Sequence, residues 1–243
     1  MKNKYYPLKL IALAGCLLTS EVQAFHFDES NHAIKFGATV NTGNSETVNI
    51  SGAITNELDY KQWRYNSSLD GQLATSGGEE SARNLNGNVE LDRDFNASTF
   101  SFIKGSVLYN KYATYDLIIR ESIGIGRVLF QNKAHRLSLQ SGPGYIHRRI
   151  AGIENFQNKS FFSVNSKYRW KMSDNAEFKQ SLSSDIDSIT THLEAVSSIN
   201  TKIIKNLALE LSFTVSHDTK IPALSKNQKK TDTASKVTLV YGF

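Results

Sequence analysis

From His32 to the C-terminus, apolar and polar residues alternate with a period of two, segment after segment. In 84–95, Leu85, Gly87, Val89, Leu91 and Phe95 hold one parity, against Asn84, Asn86, Asn88, Glu90, Asp92 and Asp94 on the other. In 61–73, Trp63, Tyr65, Leu69, Gly71 and Leu73 oppose Arg64, Asn66, Ser68, Asp70 and Gln72. Successive side chains on a strand point to opposite faces, so each segment has one greasy and one strongly polar face, which helical spacing cannot produce. The pattern predicts strands over 32–42, 46–58, 61–75, 81–95, 98–112, 115–130, 134–148, 158–172, 175–187, 190–203, 206–218 and 231–243. Three places break the rule. Phe102 and Leu108 oppose Ile103, Val107 and Tyr109 in the fifth segment, and Glu121 interrupts Leu117, Ile119, Ile123 and Ile125 in the sixth. A bulge or register change is expected at Glu121, and another bulge or kink at Gly142-Pro143-Gly144, because proline cannot donate to a sheet ladder.

A soluble sandwich or barrel would turn the greasy face inward, whereas a membrane barrel turns it to lipid and keeps the polar face in a lumen. Three features favour the membrane version. The segments are about 12–15 residues long, against about five or six for a typical globular strand. Trp63, Tyr65, Phe95, Tyr168, Trp170 and Phe178 lie on the apolar parity near strand ends, where interfacial girdles form. The chain ends with Val237, Leu239, Tyr241 and Phe243 on one face, resembling the C-terminal strand by which bacterial outer-membrane proteins are recognised for insertion. Even-numbered connections such as Asp59-Tyr60 and Asn96-Ala97 are short, and odd-numbered ones such as 149–157 and 219–230 are longer, as in barrels with both termini in the periplasm. The expected fold is all-β: an antiparallel up-and-down transmembrane β-barrel of about twelve strands, with ten as the alternative.

The first residues revise the charge argument. Lys2, Lys4 and Lys9 precede the apolar run Leu10 to Leu18, and Val22-Gln23-Ala24 ends a short polar stretch. This is the layout of a secretory signal peptide, so residues 1–24 are read as cleaved and 25–243 as the barrel. A lipobox-like Leu13-Ala14-Gly15-Cys16 offers lipidation of Cys16 as the rival. Cleavage after Ala24 takes the net charge from +5 to +3 and removes the one cysteine. Disulfides and thiolate chemistry then disappear, and a nucleic-acid partner is disfavoured.

The stretch Phe36-Gly37-Ala38-Thr39-Val40-Asn41-Thr42-Gly43-Asn44-Ser45-Glu46-Thr47 is a strand, a Thr-Gly-Asn-Ser turn and the start of a second strand. With the Trp63–Tyr65 strand and terminal Phe243, it resembles the YdiY-like, salt-induced outer-membrane protein family of Gram-negative bacteria. The resemblance spans roughly 32–243 and implies an outer-membrane barrel. It carries over no catalytic or binding residue, and the family's name implies a link to salt or osmotic response.

Candidate chemistry lies on the polar parity. The lumen-lining candidates are Arg64, Asp70, Glu90, Asp92, Asp94, Arg120, Arg136, Lys167, Arg169, Glu194 and Glu210, giving opposed acidic and basic walls. Such walls either pair structurally or orient small hydrated solutes in a pore. Arg148, Arg149, Lys220, Lys226, Lys229 and Lys230 are candidate contacts for lipopolysaccharide phosphates. Leu239, Tyr241 and Phe243 are the candidate insertion signal for the barrel-assembly machinery. Expected partners are therefore outer-membrane lipid, lipopolysaccharide and that machinery. No cofactor or metal site is expected: the histidines show no metal-ligand spacing, and there is no Gly-x-Ser-x-Gly elbow. Functionally the sequence allows a narrow channel for ions or small solutes or a structural envelope protein. An outer-membrane hydrolase based on rim His147, His192 and His217 is one alternative; an adhesion module using the external loops is another.

Overall fold

A computed structural model of the chain describes residues 29–41, 47–220 and 230–243. Among them there is no helix, and the alternation is realised as twelve strands. These are β1 Glu29–Asn41, β2 Thr47–Tyr60, β3 Trp63–Ser76, β4 Glu79–Asp94, β5 Thr99–Asn110 and β6 Tyr115–Gln131. They continue as β7 His135–Ile150, β8 Phe156–Lys171, β9 Ala176–Asp187, β10 Thr191–Ile204, β11 Leu207–Asp218 and β12 Thr231–Gly242. Every strand pairs antiparallel with its sequence neighbours, and β12 returns to β1, which closes the barrel and leaves no sheet edge. The alternative of ten strands is excluded.

Turn chemistry explains the connections. Gly77 and Gly78, both at positive φ, join β3 to β4, as a two-residue hairpin requires. The Oδ1 of Asn96 accepts the N–H groups of Ser98 and Thr99, and that of Asn132 accepts those of Ala134 and His135. Turns 61–62, 95–98, 132–134, 172–175 and 205–206 lie at the end of the barrel that carries the chain's first and last strand ends, here the near end. Connections 77–78, 111–114, 151–155 and 188–190 mark the far end. At that far rim the Glu80 carboxylate accepts hydrogen bonds from Lys111 Nζ (2.9 Å) and Tyr112 Oη (3.0 Å) and pairs with Arg83. The hydrogen bond to Glu80 holds the Lys111 ammonium pKa above the ordinary lysine range.

Burial is inverted relative to a soluble protein. Ile125 is 65% exposed, and Ile34, Phe36, Leu69, Leu73, Leu211, Phe213 and Leu239 also stand outward. Glu90 and Asp92, at 6% and 4%, lie inside. Greasy side chains thus coat the wall and ionisable ones fill the centre, the construction of a transmembrane barrel.

Of the three irregularities, the first lies as the parity indicated, and the other two bring no bulge. Phe102 and Leu108 do face inward, with Phe100, and Phe102 is 1% exposed. Register shifts on β6 fall between Tyr115 and Leu117 and between Val128 and Phe130, not at Glu121. Glu121 keeps the outward parity, with His147 Nε2 at 3.6 Å beside it. Gly142-Pro143-Gly144 produces no shift either, since Pro143 pairs with Phe162 in an unbroken β7–β8 register. The pairs Ser122–Gly144 and Ile125–Ser141 flank it on the β6 side at one constant register. Here glycine marks a close approach of two backbones. A Cβ on Gly124 would lie 2.1 Å from the Ser141 carbonyl oxygen, and one on Gly142 would lie 2.0 Å from that of Ile123. Only residues lacking Cβ allow β6 and β7 to approach so closely.

Candidate functional site

The lumen divides into two storeys. In the far half is a cavity of about 400 Å³, open toward the rim. Its lining carries hydroxyl and amide groups, Asn86, Asn88, Ser106, Ser163, Asn165 and Ser183 among them, beside the apolar Leu108, Ile118 and Phe161. Charged groups project among them, with Lys104, Arg120 and Arg148 on β5–β7 and Asp185, Glu194 and Asp218 on β9–β11. Arg120 Nε lies 3.6 Å from Asp185, and Ser163 donates to the same carboxylate at 2.9 Å. His192 Nδ1 is 3.0 Å from Asp218, and Ser216 donates its hydroxyl to Glu194 at 3.3 Å.

Beside and below the cavity, side chains pack the wall of β3–β8, and Phe161 also lines the cavity. Phe100 lies over Gly126, Phe102 over Gly124 and Phe161 over Gly144; a Cβ on any of these glycines would meet the ring within 2.8 Å. Ile146 is buried beside them. Ion pairs complete the layer. Lys167 on β8 donates to Glu90 on β4 at 2.6 Å, four strands away around the ring. Gln140 reaches the same carboxylate at 3.5 Å. Arg64 contacts Asp94 at 2.8 Å and Asp92 at 3.3 Å, with its guanidinium over the Phe100 ring. On the other side Lys35 holds Glu210 at 2.8 Å. Burial explains the pairing, because a carboxylate as enclosed as Glu90 is costly without a cation. Lys167→Met should therefore destabilise the barrel by roughly 2 kcal/mol, below the cost of breaking a fully buried pair because the lysine is half exposed. Urea titration monitored by tryptophan fluorescence would measure it.

All eleven lumen-lining candidates stand on the inward parity. The structure brings Arg64, Asp92 and Asp94 together, joins Glu90 to Lys167, and gives Arg120 and Glu210 the partners Asp185 and Lys35. Glu194 lines the cavity and Asp70 sits opposite Asn86. Arg136 and Arg169 are direct cross-strand neighbours. The inward aromatic layer was not among the candidates. Its signal was present in the phenylalanines on the polar parity of β5 and in glycines at alternate inward positions of β6 and β7.

The model of a family described as a protein of unknown function, DUF481, matches residues 34–243. The chain belongs to the DUF481 family. That family is the YdiY-like outer-membrane family the motif resembled. No curated protein matches the sequence. Among solved structures, an outer membrane channel from Pseudomonas putida F1 is similar at TM-score 0.52 and 9% identity, over 92% of this chain and 98% of that one. The KdgM porin is similar at TM-score 0.51 and 9% identity, over 88% and 99%. The NanC porin follows at 0.50 and 4%, over 87% and 97%. At these identities the likeness concerns the fold, an outer-membrane type of barrel.

The rim of this DUF481 barrel corrects one lipopolysaccharide candidate. Arg148 is not on the surface: it points into the lumen, 7% exposed, with Asp187 at 2.6 Å and the Tyr115 ring beside it. Its even parity on β7, shared with Gln140 and Ile146, decides this. Arg149 does stand outward, engaged by Asp116 through two hydrogen bonds of 2.9 Å. Lys220 and Lys230 are exposed at the far rim. Lys226 and Lys229 lie outside the described residues, as do residues 1–28 and the Gly43-Asn44-Ser45 turn. Leu239, Tyr241 and Phe243 face outward at the closing seam, with Phe243 stacked on His32 and its N–H donated to the His32 carbonyl at 3.0 Å.

Proposed function

We propose that the protein is a narrow channel of the Gram-negative outer membrane, exported with a cleaved signal peptide, passing ions and small hydrophilic solutes. The observation that carries this reading is the polar cavity in the far half of a closed barrel whose outer wall is apolar. A water-filled space lined by hydroxyls, amides and charges of both signs suits hydrated solutes, and opposed charges orient them across the path. The near end, with the termini and short turns, faces the periplasm. Lys220 and Lys230 at the far rim are placed to meet lipopolysaccharide phosphates, and Leu239, Tyr241 and Phe243 serve as the insertion signal. The packed layer around Phe102 favours small conductance and a structural reading if it seals the lumen fully. Planar-bilayer recording of refolded protein distinguishes the two. Small unitary currents in the wild type are expected. Silence in the wild type and in a variant with Phe100 and Phe102 both replaced by alanine would leave the structural reading.

A further inference from the structure

At the near mouth of the lumen three cations occupy one cross-strand row. Arg136 on β7 lies directly opposite Arg169 on β8, which lies directly opposite Lys179 on β9, all on the inward face. Like charges directly opposite in a sheet repel. The row crosses a column on β8, where the successive inward residues Lys167, Arg169 and Lys171 are all basic. The ends of that column are neutralised, Lys167 by Glu90 at 2.6 Å and Lys171 by Asp174 at 3.3 Å. One carboxylate beside the row serves two of the three cations: Glu177, opposite Lys171, lies 3.1 Å from Lys179 and 3.9 Å from Arg169. Arg136 has no ion pair among the described residues. On β4, Asp94 is held by Arg64 at 2.8 Å. About half of each of the Arg169 and Lys179 side chains remains open to solvent.

Three cations thus stand side by side on the inward face with one carboxylate, Glu177, in ion-pair contact with the row. We propose that this row is an anion-binding site for small dianions carrying phosphate- or carboxylate-type oxygens, with Arg169 at its centre and Arg136 and Lys179 flanking. Guanidinium groups suit such oxygens because their forked donors bind two at once. The site does not depend on conduction, because binding from the near end needs no passage through the aromatic layer, so it can be tested apart from the channel.

The test is calorimetric titration of refolded, detergent-solubilised protein at about pH 8, where inorganic phosphate carries close to two charges. A second titrant is succinate, and chloride at matched ionic strength is the control. Saturable binding of phosphate, succinate or both, with none of chloride, is expected, and the preferred titrant names the anion class. Arg169→Gln should weaken binding by at least about tenfold, as for loss of a charge-assisted contact, while Lys111→Gln, a cation of the far rim paired with Glu80, should leave it unchanged. Arg169→Lys should recover part of the loss. Lys179→Gln serves as a second probe should Arg169→Gln not reach the heat-modifiable folded form. The thermal midpoint provides an independent readout: phosphate should raise it in the wild type and not in the row variants. Equal phosphate response in wild type and row variants, or a dianion response no different from that of chloride, overturns the proposal.

Discussion

Gly142→Val should abolish the folded barrel. A Cβ at this position would lie 2.0 Å from the Ile123 carbonyl oxygen and 2.7 Å from the Gly124 Cα. Both atoms are backbone, so no rotamer change relieves the overlap and β6 must move away from β7. Overpacking by side chains typically costs about 1–3 kcal/mol; separating two strands whose backbones approach this closely exceeds that range. The measurement is heat-modifiable migration on a denaturing gel after refolding into detergent. The folded species should be missing from Gly142→Val and retained in Gly71→Val, where the nearest atoms are 3.7 Å and 3.8 Å away. Recovery of a normally folded Gly142→Val barrel would show that the close approach of β6 and β7 is not required.

Phe102→Ala should both loosen the barrel and widen the path through it. The ring is 1% exposed against Gly124, and truncation of so buried an aromatic typically costs about 3–5 kcal/mol. A polar lumen lets water enter the vacated space, which places the expected loss near 3 kcal/mol. Denaturant titration would measure that loss. In a planar bilayer the same variant should conduct several times more than wild type if the aromatic layer is the constriction. A destabilised variant with unchanged current would place the constriction elsewhere, for example at the Arg64–Asp92–Asp94 cluster.

The two predictions concern the part of the molecule that alternation left least regular. Glu121 and the Gly-Pro-Gly segment looked like breaks in the ladder, because a charge on a greasy face and a proline inside a strand are the usual marks of a bulge. The structure keeps both in register for reasons that involve neighbouring strands. Glu121 stays outward with His147 beside it. Pro143 stays outward between Gly142 and Gly144, whose missing Cβ atoms leave room for the Ile123 carbonyl and the Phe161 ring. Arg148 shows the same limit. Read as the end of a basic loop entry, it belongs to the external surface; read by the parity of β7, it belongs to the lumen, where Asp187 receives it.

Alternation along the chain by itself determined that the segments are strands with one greasy and one polar face, because a period of two is a local property repeated in each strand. Segment length, aromatic placement and the short and long connections pointed to the up-and-down order and the inversion of faces, while the choice of twelve strands over ten came with the closed ring. It also named which charges face inward. Which of those charges meet was decided by closure of the ring, which set Lys167 against Glu90 across four strands and Arg136 beside Arg169 and Lys179. The register of each hairpin and the close backbone approach at Gly124 and Gly142 supplied that information. Neither is written in the pattern of any single strand, since both depend on how close two backbones come once the cylinder is shut.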